Sequence, residues 1–389
     1  MIDTSGVALE IIKDSESVIR EISQQPRIWR EVWELVQQQE SALQSFIQGH
    51  DVILFTGAGT SEFVGNSIYR SFYQRKEQIL SIGTTDLISH PYYYLDPDKK
   101  ILLVNCARSG NSPESMASVE LANQVCSHID HLFITCNPNG KLAQYAKNND
   151  HTYLLLMPEG TNDASFAMTS SYTAMVLAAL LIFGTETAET KKHSVEKMAD
   201  AGNYILEEYG SKLRKLVKET AFERLVYLGG GTLKGVAQES ALKALEVTAG
   251  KLSTMYESPL GYRHGPSSFV KTDDHNLIVM YFENDAYANR YAMDMLKEMK
   301  EYHKQNSCFI ALCAQDEQAL HEVCDTVIVI DGKNVPSAYL TLPYVMVAQM
   351  LAVYRSWDYG IGSDYPFGHD DSDVGIKTVI YPYVAQVGK

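Results

Sequence analysis

Three stretches of this sequence hold side chains that could move protons or grip an anion. In "QESALKALEVTAGKL", Glu239, Lys243 and Glu246 stand at i, i+4 and i+7, so a helix puts all three on one face. That spacing also suits a solvated salt-bridge face, but Leu242, Leu245 and Val247 accompany it and mark the helix as partly buried. Downstream, "ESPLGYRHGPSSF" sets His264 on a constrained His-Gly-Pro turn. By itself a loop histidine is more often not catalytic. A carboxylate and an imidazole together do supply what is needed to move a proton between adjacent carbons and to open a hemiacetal ring.

The anion-gripping candidates are two turns. "GAGTS", Gly57 to Ser61, ends an apolar run and can open a helix. Glycines such as Gly59 let backbone approach an anion, and the helix beyond offers unpaired N–H groups, with Thr60 and Ser61 adding hydroxyls. "RSGNSPES", Arg108 to Ser115, offers Ser109, Asn111 and Ser112 to wrap a phosphate, with Arg108 as added charge. One glycine-rich turn could be a bare helix cap; two hydroxyl-rich turns on neighbouring strands favour a phosphate site. Neither matches G-x-x-x-x-G-K-[ST] or G-x-G-x-x-G, which disfavours a nucleotide cofactor.

The elements that must carry these turns are written twice. "DVILFTGAGTS", "KKILLVNCARSGNSPES", "HLFITCNPNGKLAQYA" and "HTYLLLMPEG" read as four strands with their turns, followed by the apolar helix "SSYTAMVLAALLIFG". "ERLVYLGGGTLKG", "HNLIVMYFENDAY", "SCFIALCAQDEQALHE", "CDTVIVIDG" and "AYLTLPYVMVAQMLAVYR" repeat that order at a near-constant offset. Continuous apolar strands alternating with helices belong to a parallel sheet covered on both faces. The fold class is therefore α/β, two tandem three-layer αβα sandwiches. A helical extension over 1–47, a first unit over 48–205 and a second over 206–389 follow. In the first of these, Ile28, Val32, Leu35 and Val36 share one face that packs on the core. The second-half counterpart of the phosphate turn, "FENDAY", carries Glu283 and Asp285, which repel phosphate; one phosphate site per chain, in the first half, is expected. The Gly-, Asp- and Tyr-rich tail after Trp357 must cover something to stay ordered.

The 389 residues carry a formal net charge of −15, which argues against nucleic-acid and anionic-membrane partners. The longest apolar run, Ala174 to Phe183, is too short to span a bilayer, and the N-terminal stretch lacks the basic and apolar regions of a signal peptide. Six cysteines without C-x-x-C spacing read as reduced thiols of a cytoplasmic protein rather than zinc ligands. "GHDDSD", from His369 to Asp373, does not fit a Ca²⁺ loop, so no metal and no cofactor is expected.

"RSGNSPES" and "SPLGYRHGP", with "GAGTS" between the first strand and helix, resemble the sugar isomerase (SIS) domain family over nearly the whole chain. The likeness extends to the isomerase half of glucosamine-6-phosphate synthase and, more closely, to AgaS-type galactosamine-6-phosphate deaminase/isomerases, also described as tagatose-6-phosphate ketose/aldose isomerases. The resemblance implies that Thr60 and Ser61 form the first substrate turn, that Ser109 and Ser112 bind phosphate and that Ser165 contacts the sugar. It further implies that Glu246 shuttles the proton between C1 and C2 beside Glu239 and Lys243. His264 would open the ring from a neighbouring subunit, hence a homodimer at least, and Lys377 would match a lysine of the C-terminal tail. Ala107 and Arg108 stand where the synthase has a serine and a glutamine. No glutaminase module lies within these residues, so the amino-sugar reaction is expected to run towards ammonia release from a hexosamine 6-phosphate. The alternatives are aldose–ketose isomerisation of a neutral hexose phosphate and a non-catalytic sugar-phosphate sensor.

Overall fold

The computed structural model describes residues 1–302, 306–369 and 378–384. The first half builds one parallel sheet from β1 (Val52–Gly57), β2 (Gln78–Gly83), β3 (Lys100–Ala107), β4 (His128–Thr135) and β5 (Thr152–Leu156), in the order β2-β1-β3-β4-β5. The second half builds another from β6 (Arg224–Gly229), β7 (Ser253–Glu257), β8 (Asn276–Tyr281), β9 (Ser307–Cys313) and β10 (Thr326–Val329), in the order β7-β6-β8-β9-β10. The two orders are the same, so the repeat in the sequence is a repeat of topology. Each half has five strands rather than four. The additional strands, β2 and β7, lie at sheet edges with mostly part-exposed residues and so lack the unbroken apolar run that marks the inner strands.

The halves share one hydrophobic core. A single cluster joins Phe55, Leu102 and Leu177 of the first half to Leu225, Tyr281 and Val347 of the second. The apolar Ser170–Phe183 helix is buried along its whole length. The Ser337–Asp358 segment is long and apolar enough to cross a membrane, but 94% of its apolar window is buried, which makes it a core helix. The N-terminal Glu16–Gln38 helix adds Val18, Ile22, Trp29 and Val32 to the same core, and the Trp29 indole N–H donates to Thr173 Oγ1 at 3.0 Å. The seam expected near residue 205 falls in a helical run, Ala188–Tyr204 continuing through a π-helical turn, Ile205–Tyr209, into Gly210–Thr220.

One helix crossing matters most for function. The Leu233–Val247 helix of the second half packs on the Thr60–Asn66 helix of the first. Gly235 makes this approach possible: a Cβ there would lie 2.5 Å from the Asn66 carbonyl carbon and oxygen and from the Ser67 nitrogen. These are backbone atoms that no rotamer change can move. Gly235→Ala should therefore destabilise the protein by about 3 kcal/mol, read as a lower urea midpoint at unchanged m; a midpoint equal to wild type would refute the packing argument.

Candidate active site

β1 and β3 are neighbours, and their carboxyl ends open the crevice at the point where strand order reverses, the usual ligand position in open α/β sheets. The "GAGTS" turn needs its glycines. A Cβ on Gly57 would meet the Ser61 carbonyl carbon at 2.4 Å, and Gly59 has φ of 56°. The turn delivers Thr60 and Ser61, both buried, to the start of the Thr60–Asn66 helix.

The helix from the other half then lowers its charged face onto Thr60. Lys243 Nζ donates to Thr60 Oγ1 at 2.8 Å and to Glu246 Oε2 at 2.5 Å, and lies 3.4 Å from Glu239 Oε1. Glu239 and Lys243 side chains are 0% and 1% exposed, whereas Glu246 is 26% exposed. Glu246 is thus the carboxylate of this cluster that faces outward. Burial pushes Glu239 up to about 8, against the pull of the Lys243 charge, with the Glu246 charge adding to the rise. The two carboxylates outweigh desolvation at Lys243 and raise its pKa, so the ammonium persists. Glu239 lies beneath the site as a buried partner of the same ammonium that holds Glu246.

A raised carboxyl pKa means that the native state holds a proton the unfolded chain has lost between the unfolded value near 4.5 and about 8. The stability from this proton is complete below the lower value and drains away as pH rises through the window, by an amount on the order of several kcal/mol. Glu239→Gln keeps the neutral form at every pH. Its melting temperature should gain on wild type as pH goes from 5 to 8; a constant offset would show that Glu239 does not titrate there.

The second turn is built by side chains turned back on the backbone. Ser112 caps the Pro113–Val125 helix, accepting from the Ser115 N–H at 3.1 Å. Gly110 has φ of 62°. Ser109 Oγ accepts from the Asn111 N–H at 3.3 Å, and Asn111 Oδ1 accepts from the Lys141 N–H at 3.0 Å; the exposed amide NH₂ of Asn111 has no acceptor among the described residues. Two expected ligands also bond within the protein. Arg108 donates through one guanidinium nitrogen to the carbonyls of Ser165 and Phe166 at 3.0 and 3.3 Å. Ser165 is 2% exposed, and its hydroxyl lies within hydrogen-bond reach of the Glu21 carboxylate and Ala167 O. The buried Glu21 must be supplied with donors and also takes the Ala164 and Ser165 N–H groups at 2.7 and 3.2 Å. Burial, with the nearby Asp163 charge, raises the Glu21 pKa despite those bonds.

Glu21 is a residue that motif reading missed. Its signal was present: it falls with Val18, Ile22 and Gln25 on the buried face of the N-terminal helix, where an acidic side chain needs a partner. His264 stands exposed, with no side-chain hydrogen bond or ion pair, to Glu246 or any other group, among the described residues. Lys377 and Asp370 to Asp373 lie outside the described residues. Thr378 to Tyr383 cross the Thr84–Ser89 and Pro113–Val125 helices and roof a cavity of about 710 Å³. Thr378 Oγ1 donates to Glu114, two residues beyond Ser112, and Gln124 Nε2 donates to Tyr383 O at 2.9 Å. That cavity does not include Lys243 or Glu246; the tail covers the outer face beside the phosphate turn.

A doubled αβα fold with a hydroxyl-lined turn at its switch point defines a two-domain SIS protein, and the family model for the SIS domain matches residues 46–184. The chain is 38% identical over 374 residues to D-galactosamine-6-phosphate deaminase AgaS of Shewanella sp. (strain ANA-3), covering 94% of this chain and 92% of that protein. It therefore belongs to the AgaS family of SIS-domain proteins. A crystal structure of tagatose-6-phosphate ketose/aldose isomerase from Escherichia coli superposes with a TM-score of 0.84 at 36% identity, covering 94% of this chain and 96% of that one. The C-terminal domain of glucosamine-fructose-6-phosphate aminotransferase from Francisella tularensis shares the fold, with a TM-score of 0.71 at 16% identity over 90% of this chain and 98% of that one.

Proposed function

We propose that this chain is an isomerising deaminase of 2-amino-hexose 6-phosphates, converting galactosamine 6-phosphate and water to tagatose 6-phosphate and ammonia. The reading rests on Glu246, held by the Lys243 ammonium on a helix that packs against the Thr60–Asn66 helix beyond β1, the neighbour of the β3 strand that leads into the Ser109–Ser112 turn. Phosphate docks on Ser109, Ser112 and the exposed Asn111 amide, near the N-terminus of the Pro113–Val125 helix. Thr60 and Ser61 line the floor with the backbone of Gly59. Glu246 takes the C2 proton of the ring-opened aldose and returns it to C1. C1 becomes an alcohol and C2 an imine, which water hydrolyses to the ketone and ammonia. The sequence is redox-neutral and consumes only water.

The likeness to the Shewanella deaminase supports the amino sugar. The likeness to the E. coli ketose/aldose isomerase supports a second reading, isomerisation of the neutral tagatose 6-phosphate with the same base. One assay separates them. Pure protein given galactosamine 6-phosphate should release ammonia, and given tagatose 6-phosphate should interconvert it far more slowly; the reverse ranking establishes the plain isomerase, and turnover of neither leaves a sensor. Ring opening falls to His264, whose exposure supports delivery to a second copy, so the working unit is a cytoplasmic homodimer or larger. Mixing Glu246→Gln with His264→Ala subunits tests this. An equal, fully reassorted mixture should regain up to about a quarter of wild-type activity, half of its dimers being mixed and each mixed dimer having one intact site of two; no regain places both residues in one subunit.

A further inference from the structure

The second half keeps a crevice of its own at its own switch point. β6 and β8 are adjacent as β1 and β3 are, and between their carboxyl ends lies a cavity of about 220 Å³. Gly230, Gly231 and Tyr291 are among its lining residues, and Glu283 stands where the first half has its phosphate-turn residues. The glycines make room for that carboxylate: a Cβ on either would come within 3.0 Å of Glu283 Oε1. Its backbone is fixed on both sides by Asn289, which accepts from the Glu283 N–H at 3.0 Å and donates to its carbonyl at 2.8 Å. Among the described residues, no hydrogen bond or ion pair reaches the carboxylate, not even from the N–H groups of Gly230, Gly231 or Thr232. It is therefore not a plug bonded into the turn. Asp285 caps the following helix through Tyr287 and Ala288, so Glu283 is the carboxylate of the cavity.

We infer that this second crevice is a binding site for a small, unphosphorylated molecule bearing a protonated primary amine. A half-buried carboxylate without a partner gains most from a cation it can hydrogen-bond. The part-exposed Tyr291 ring at the cavity favours an organic ammonium, whereas one carboxylate is too few for Ca²⁺ or Mg²⁺. The same charge rejects phosphate esters, which keeps this site and the first-half site from competing. Burial, with the neighbouring Asp285 charge, raises the Glu283 pKa, the condition under which a bound cation is most favourable. The inference does not depend on the reaction proposed above.

The test is titration calorimetry on the full chain with galactosamine, galactose and ammonium chloride, using wild type, Glu283→Gln and Tyr291→Ala. Galactosamine should bind saturably and galactose should not, and both substitutions should weaken galactosamine by about 10-fold or more. Tyr291 is 41% exposed, so Tyr291→Ala should fold even if the first variant does not. Turnover of galactosamine 6-phosphate should stay close to wild type in both. Ammonium that displaces galactosamine would support the site and identify the ammonium group as what is read. Equal binding of galactose, absence of saturable binding, or galactosamine affinity unchanged in both variants would overturn it.

Discussion

Glu246→Gln should slow ammonia release from galactosamine 6-phosphate by about 10³-fold, within the range for loss of a general base, while KM changes little. Glutamine preserves shape and still accepts the Lys243 hydrogen bond, so docking survives. What it loses is the ability to take a proton. Among the four joined residues, Thr60, Glu239 and Lys243 are buried and Glu246 is 26% exposed, so no neighbour in the cluster can replace it. An equal fall in kcat and kcat/KM is the signature of an interaction used only in the transition state. A loss below about tenfold would move the base elsewhere.

Lys243→Met should be the most damaging single change for stability and should also impair turnover. It removes the one cation bonded to two carboxylates and to Thr60. Breaking a buried charge cluster by removing one partner costs about 3–5 kcal/mol, because an unpaired charge is left behind. Here Glu239 can limit that cost by holding its proton, so the loss should be smaller at pH 5 than at pH 8. Adding Glu239→Gln should recover part of the stability but not the turnover, because Glu246 still lacks the ammonium that positions it. A double-mutant cycle by chemical denaturation reads the coupling. Strict additivity would show that Glu239 and Lys243 do not act on one another. Full recovery of activity in the double variant would show that Lys243 has no part in placing Glu246.

Legibility varied along the chain for physical reasons. Inner strands such as "KILLVNCA" are buried on both faces, and their composition alone declares them. Edge strands "QILSIG" and "STMYE" have one open side and tolerate polar residues, so their composition does not mark them among the strands. In the site, the spacing of Glu239, Lys243 and Glu246 placed all three on one helix face, as periodicity requires. It could not say which would be sealed and which left open, since that depends on the Thr60–Asn66 helix, about 180 residues away in the chain. Arg108 and Ser165 carry the right chemistry for a ligand, and the fold also bonds Ser165 to a buried carboxylate on the N-terminal helix and Arg108 to the Ser165 and Phe166 carbonyls.

The amino-acid order thus determined the doubled α/β architecture, the two turns at the strand ends and the residue types available for proton transfer. Each is local, written in apolar periodicity and in glycines that alone tolerate the turn geometry. Only the tertiary structure decided that Lys243 is buried against Thr60, that Glu246 faces outward, and that Glu283 has no partner among the described residues in the second crevice. Burial and charge pairing are properties of contacts between distant segments. The close approach at Gly235, where even one methyl group would strike the neighbouring backbone, brings the first-half turn and the second-half helix together.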